Sequence, residues 1–241
     1  MAGQVNICLL CAEEMSKSLG WRQFFWLEEP PVVCEECRQP FEKVAGESCR
    51  SCSRPLAMLD PAFVMDGVCL DCLRWEEDPL YQNTLASNYS LYTYNDAMKE
   101  FIARFKYRGD YILAKVFANE IKKAAENIVH DLVIGVPLSK ERLYERGFNQ
   151  AEALAREAGL ETLHILERFH SEKQSKKSRR ERLRSSQVFQ IREKSSICHK
   201  KILIIDDIYT TGSTLRQAAF LLKQAGAAEV RALTLARGQG I

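Results

Sequence analysis

The chain has 241 residues, enough for one full-sized domain and a smaller companion. Its 34 basic and 32 acidic side chains nearly cancel, so overall charge points to no class of partner, although its distribution does. No apolar run approaches the ~20 residues a bilayer span needs and no N-terminal stretch resembles a signal peptide, so neither a membrane span nor secretion is expected and a cytoplasmic location is.

Eight of the nine cysteines fall in four Cys-x-x-Cys pairs, Cys8/Cys11, Cys34/Cys37, Cys49/Cys52 and Cys69/Cys72. A reducing compartment favours metal ligation over disulfides. Two thiolates two residues apart grip one metal from a tight knuckle, and two knuckles complete the tetrahedral Cys₄ site that zinc prefers. Eight thiols therefore predict two structural Zn²⁺ ions. Sequential pairing of the knuckles makes two stacked zinc ribbons; spacing alone leaves a cross-braced pairing open. A single such pair could be a redox motif, but four in succession without a βαβ context argue against that reading. Residues 1–78 are read as this zinc-binding module. Between its knuckles lie Trp21, Phe24, Phe25 and Trp26, either an apolar patch for packing or a stacking platform for single-stranded nucleic acid.

Residues 79–241 are read as a second, larger domain. The stretch from Arg74 to Asn88 has no period and reads as a linker, and Tyr89 to Tyr94 as a short aromatic strand. Asn95 is a candidate N-cap for a helix whose Met98, Phe101, Ile102 and Phe105 share one face. Lys106-Tyr107-Arg108-Gly109 closes it. Asp110 opens a second helix with Ile112, Leu113, Val116, Phe117 and Ile121 inward. The cations at this corner read as solvated charges or as a phosphate contact. Leu132 to Val136 is a buried strand. Pro137, Leu138, Ser139 and Lys140 turn away from it, with Arg142 near the mouth, and after Arg146-Gly147-Phe148-Asn149-Gln150 a helix carries Ala151, Leu154 and Ala155 to a stop at Gly159. This strand-loop-helix unit is a candidate anion site.

From Arg168 to Arg184 eight Lys or Arg face only Glu172 and Glu181. A run so one-sided reads as a solvated mobile loop, as a loop that closes over a ligand, or as an attraction for a nucleic-acid backbone. Val188 to Ile191 resumes a strand. Cys198, the odd cysteine, reads as a buried inert thiol. In KILIIDDIYTTGSTLR (201–216), Ile202 to Ile205 have the pattern of a strand buried on both faces, and Asp206 and Asp207 follow at its carboxyl end, where open α/β sheets bind ligands. Thr210, Thr211, Gly212, Ser213 and Thr214 then offer hydroxyls and a permissive backbone at the start of a helix, a ready anion site. A buried strand with a polar turn is the plain reading, but paired carboxylates there are costly unless something uses them. The acidic strand of a P-loop nucleotidase would need G-x-x-x-x-G-K-[ST], which the chain lacks. Leu215, Ala218, Ala219, Leu222 and Ala225 form the helix's packing face, and Val230 to Ala236 is the last strand. The alternation from about residue 130 predicts an α/β, doubly wound parallel sheet.

The 202–214 segment resembles the signature of type I phosphoribosyltransferases: four apolar residues, two acids, two variable residues and a Thr-Thr-Gly-Ser loop. That resemblance implies a site for phosphoribosyl pyrophosphate (PRPP) with Mg²⁺. Asp206 and Asp207 would hold the ribose hydroxyls and serve catalysis, residues 210–214 the 5′-phosphate, and Pro137, Leu138, Ser139 and Lys140 the pyrophosphate. Lys173, Gln174, Lys176, Lys177 and Arg182 would lie in the flexible loop that closes over it. With the four cysteine pairs, KYRG, RGFNQ (146–150), KQSKK (173–177) and DDIYTTG (206–212), nearly the whole chain is similar to competence proteins of the ComF family (ComFC type). This implies a role in DNA uptake during natural transformation, with single-stranded DNA and a DNA-uptake helicase as partners. Two functions follow as expectations: a phosphoribosyltransferase, or a non-catalytic DNA-binding adaptor that keeps the fold as a PRPP sensor or scaffold.

Overall fold

The computed structural model describes residues 6–15, 31–107, 109–168, 188–192 and 195–238. Two cysteine-rich ribbons come first. One pairs β1 (Asn6–Ile7) with β2 (Glu14–Met15) and adds the single turn α1 (Glu35–Arg38); the other pairs β3 (Val64–Met65) with β4 (Val68–Cys69) and leads into α2 (Leu70–Glu77). The rest is α/β: β5 (Ser87–Thr93), α3 (Asp96–Tyr107), α4 (Ala118–Glu126), β6 (Leu132–Gly135), α5 (Lys140–Arg146), α6 (Gln150–Glu157), β7 (Leu166–Arg168), β8 (Phe189–Ile191), β9 (Lys201–Tyr209), α7 (Ser213–Gln224) and β10 (Glu229–Arg237).

The central sheet is parallel throughout, in the order β5-β10-β9-β6. Strand periodicity sends alternate residues to opposite faces. Leu203, Ile205, Leu233 and Leu235 join Phe101, Phe105, Phe117 and Leu154 on one side, while Ile202, Ile204, Val230 and Ala232 join Leu215, Ala218, Ala219 and Leu222 on the other. Both faces are covered, so the sheet is doubly wound, as the sequence predicts. Ile202 to Ile205 are each at most 1% exposed, and burying each contributes roughly 2–3 kcal/mol. Asn95 does cap α3, its Oδ1 accepting from Met98 N at 3.0 Å.

Four expectations need correction. The ribbons do not stack on each other. Cys8, with Cys34 and Cys37 partly buried, packs into the cluster of α3 and α4, whereas Cys49, Cys52, Cys69 and Cys72 join the cluster of α7 on the opposite face. Residues 42–44 join them by running along the edge of β5, with Val44 N to Leu91 O at 2.9 Å and Thr93 N to Glu42 O at 2.8 Å. The supposed linker from Arg74 to Asn88 is docked: it contributes the end of α2, the buried Leu85 and the start of β5. Its residues each meet a different element, which leaves no period to read. Ile112 is 40% exposed because Tyr111–Phe117 is a 3₁₀ helix; three residues per turn put Leu113 and Val116 on one ridge and Ala114 and Phe117 on the next. Cys198 is exposed, since Ile197 takes the buried position and the chain turns immediately after it.

Candidate functional site

Unequal strand lengths make the cleft. β6 pairs with β9 only as far as Gly135 opposite Ile205, while β9 continues to Tyr209 alongside β10. Asp206 and Asp207 thus lie within β9, still alongside β10 but beyond the last residue of β6. Gly135 lets α6 approach this strand end closely, since a Cβ there would meet Glu152 Cγ at 2.9 Å. The resulting cavity of about 220 Å³ is lined by Lys106, Val136, Leu138, Arg142, Arg146, Asn149, Gln150, Ala151, Arg168, Asp206, Asp207, Ile208, Thr210 and Thr214. Four cations against two acids give it a predominantly basic lining.

Asp207 is buried and paired with Lys106 Nζ at 2.5 Å. Asp206 Oδ1 accepts from Asp207 N at 2.9 Å. Desolvation, and then the neighbouring Asp207 carboxylate, push the Asp206 carboxyl up to about 7, against the opposing pull of the Asp207 N–H, Lys106 and Arg168. Burial and the nearby Arg142 and Arg146 lower the Arg168 pKa. Each like charge thus raises the energy of its neighbours, a cost that a ligand with complementary groups relieves.

The loop after β9 turns at Gly212, whose φ of +84° suits glycine and whose missing side chain leaves room for the buried Tyr209 ring and its hydroxyl. Ser213 opens α7, its N–H donating to Thr211 Oγ1 at 3.4 Å and its Oγ accepting from Gln217 Nε2 at 3.0 Å. Thr210 and Thr211 are exposed. Of the turn after β6, Leu138 lines the cleft and Pro137 is half-buried; Ser139 Oγ caps α5 by accepting from Arg142 N at 3.3 Å, and Lys140 is exposed. The loop residues Lys173, Gln174, Lys176, Lys177 and Arg182, and the aromatic group at 21–26, lie outside the described residues.

Sequence reasoning marks Lys106 as a solvated charge or phosphate contact, Arg142 as near the mouth of an anion site and Arg168 as part of the basic run, and gives Arg146 no role; the structure puts all four in the cleft. Lys106 and Arg146 stand in the KYRG and RGFNQ motifs, and Arg168 opens the basic run, so the signal was the repeated appearance of cations beside each candidate anion loop. Asn149 shows why the motif's polar residues matter. Its Nδ2 donates to Val136 O at 3.0 Å and its Oδ1 accepts from Ala151 N at 3.0 Å, tying α6 to the end of β6.

The cysteines gather in sequential order, Cys8, Cys11, Cys34 and Cys37 in one group and Cys49, Cys52, Cys69 and Cys72 in another, each with its sulfurs within 4.8 Å of one another. Zinc–sulfur bonds of about 2.3 Å in a tetrahedron place sulfurs about 3.8 Å apart. Cys11 Sγ to Cys34 Sγ at 3.9 Å and Cys52 Sγ to Cys69 Sγ at 3.7 Å match that spacing. Backbone N–H groups also point at the sulfurs, from Cys34 to Cys8 Sγ at 3.4 Å and from Cys69 to Cys49 Sγ at 3.3 Å. In the second group Cys69 and Cys72 are pushed up, first by their bonds to Cys49, whose own thiol is drawn down by Cys52. The sulfur spacing and the backbone donors in each group fit a shared metal ion.

Strand order, acid pair and loop define the class, and the family profile described as "Phosphoribosyl transferase domain" matches residues 112–240. Over 235 residues the chain is 40% identical to Competence protein ComFC of Bacillus subtilis (strain 168), covering 96% of this chain and 95% of that one. Over 231 residues it is 36% identical to Competence protein ComFC of Streptococcus pneumoniae (strain ATCC BAA-255 / R6), covering 95% and 99%. The chain belongs to the phosphoribosyltransferase family and, within it, to the ComFC competence proteins. Among solved structures, a hypoxanthine phosphoribosyltransferase from Staphylococcus aureus is 20% identical with a TM-score of 0.33, covering 54% of this chain and 64% of that one. No helix among the described residues is long and apolar enough to cross a membrane.

Proposed function

We propose that the chain binds PRPP with Mg²⁺ in the cleft at the end of β6 and acts in DNA uptake during competence. The observation that carries the proposal is the acid pair of β9 standing beyond the end of β6, in one cleft with four cations and next to the Thr210–Thr214 loop. Asp206 and Asp207 hold the ribose hydroxyls, and their oxygens suit Mg²⁺, which when bound neutralises charge on the diphosphate. Thr210, Thr211, Gly212, Ser213 and Thr214 hold the 5′-phosphate with N–H and hydroxyl groups at the start of α7. The 137–140 turn meets the diphosphate, with Lys106, Arg142, Arg146 and Arg168 supplying charge and the basic 168–184 segment closing over it. Two Zn²⁺ ions hold a 1–78 module against a 79–241 domain, and the protein works in the cytoplasm beside a DNA-uptake helicase. Calorimetry with PRPP and Mg²⁺ tests the site: saturable binding is expected, and its absence overturns the assignment.

Turnover separates this reading from the adaptor reading, in which PRPP is only sensed and the ribbons and basic segment bind single-stranded DNA. The competence names of the two relatives favour a DNA-uptake role in either case. In the enzymatic version a nucleophile displaces pyrophosphate from the ribose while Asp206 and Asp207 stabilise the developing positive charge. A screen of acceptors for pyrophosphate release decides: release dependent on Asp206 and Asp207 establishes the enzyme, and binding without release establishes the sensor.

A further inference from the structure

The loop after β9 is held from behind by α2 of the second cysteine ribbon and by Arg237 of β10, which itself contacts that ribbon. Arg237 Nη1 donates to Tyr209 O at 3.2 Å and to Thr210 O at 3.0 Å, and Trp75 Nε1 donates to Thr211 O at 2.9 Å. Two consecutive carbonyls are therefore held toward Arg237 of β10, that of Tyr209 also accepting from Gly238 N, and the third toward α2 of the ribbon. In a trans peptide each carbonyl points opposite the next residue's N–H, so this arrangement turns the N–H groups of Thr210, Thr211 and Gly212 away from Arg237 and Trp75. Arg237 is 3% exposed, lies with its guanidinium 4.8 Å from the Tyr209 ring centroid, and donates through Nη2 to Cys52 Sγ at 3.4 Å. Trp75 stands one turn after Cys72 on α2. Its neighbour Glu76 pairs at 2.6 Å with Arg216, a fully buried residue in the first turn of α7. Among the described residues the first ribbon makes no hydrogen bond to this loop.

We propose that metal held by Cys49, Cys52, Cys69 and Cys72 sets the shape of the phosphate loop, with Arg237 and Trp75 as positioning residues, so that metal retention and phosphate-ligand affinity are linked. The inference rests on reading the loop as the PRPP site and the ribbon as a zinc site. A metal-bound Cys52 thiolate is an anionic acceptor for Arg237. The Cys69–Cys72 knuckle anchors α2, which at eight residues is too short to hold Trp75 and Glu76 in place by itself. Linkage is reciprocal: if the metal favours the loop shape that binds phosphate, the ligand favours retention of the metal by the same factor.

Full-length wild type, Trp75→Phe and Arg237→Met test this through calorimetry with PRPP and Mg²⁺, zinc content, and zinc transfer to a zinc-selective chelator. Both variants should keep two zinc equivalents and bind PRPP about tenfold more weakly, the effect of losing one or two hydrogen bonds. PRPP should slow release of one zinc equivalent and not the other, and Trp75→Phe should reduce that slowing. Should Arg237→Met fail to fold, Trp75→Phe and the release kinetics still decide. Wild-type affinity in a folded Trp75→Phe variant, or release that PRPP slows for both equivalents or for neither, overturns the coupling. A wild type that binds zinc but no PRPP removes the ligand reading, and the inference with it.

Discussion

Asp206 carries two opposite pH dependences. Its ordinary pKa is about 4, and in the fold it is pushed up to about 7 by burial and Asp207, with Lys106 and Arg168 as the facing cations. Between those values the folded chain keeps a proton that the unfolded chain releases, so stability falls as pH rises from about 4 to about 7 and then levels off. Asp206→Asn removes that slope; thermal melts should agree near pH 4 and diverge above it, leaving the variant more stable by roughly 1–3 kcal/mol at pH 8. On the PRPP reading binding has the other sign, because a carboxylate that must lose a proton to meet Mg²⁺ and ribose hydroxyls would bind better above pH 7. Calorimetry across pH should show PRPP affinity rising toward pH 7 in the wild type, with Asp206→Asn supplying the ligand's own titration as baseline. Gly212 is decided by geometry. A Cβ there meets the Tyr209 hydroxyl at a φ of +84°, so Gly212→Ala should lower stability by about 1–3 kcal/mol and weaken PRPP binding.

The two ribbons share a motif but differ in burial. The second has all four cysteines at 2% exposure or less, in contact with the sheet, whereas Cys11 of the first is exposed. Metal analysis of protein purified without chelator should approach two zinc equivalents. Cys72→Ser should lower the melting temperature more than Cys11→Ser, because it opens a site that is continuous with the core. Equal losses would show that burial does not set the metal's contribution. On the adaptor reading, the basic 168–184 segment acts through charge density. Neutralising Lys176, Lys177, Arg179 and Arg180 together should weaken single-stranded DNA binding and flatten its dependence on salt, and an unchanged salt slope would assign these charges elsewhere.

For the molecule as a whole, the ligand site should be separable from the fold. Asp206→Ala with Asp207→Ala removes mutually repelling carboxylates from the cleft at the cost of the Asp207–Lys106 pair, and touches neither the sheet's apolar faces nor the ribbons, so the double variant should fold and retain zinc. PRPP at about a hundred times its dissociation constant should stabilise the wild type by roughly 2.7 kcal/mol and the variant by almost none. Loss of DNA uptake in a folded variant would tie PRPP to competence; normal uptake would leave the fold as scaffold. Much of this was legible in residue order, for reasons that are local. Cysteine knuckles, the apolar run at 202–205, the acids after it and the Thr-Thr-Gly-Ser turn each carry their chemistry within a few residues, and strand and helix periods predicted the doubly wound sheet. What tertiary structure alone decided involves residues far apart in the chain. Trp75 meets Thr211 and Lys106 meets Asp207 because the strand order brings them together, and the ribbons take opposite faces because residues 42–44 cross the edge of β5. Spacing along a chain records which groups are neighbours in sequence; which of them share a cleft follows from how the two faces of the sheet are covered.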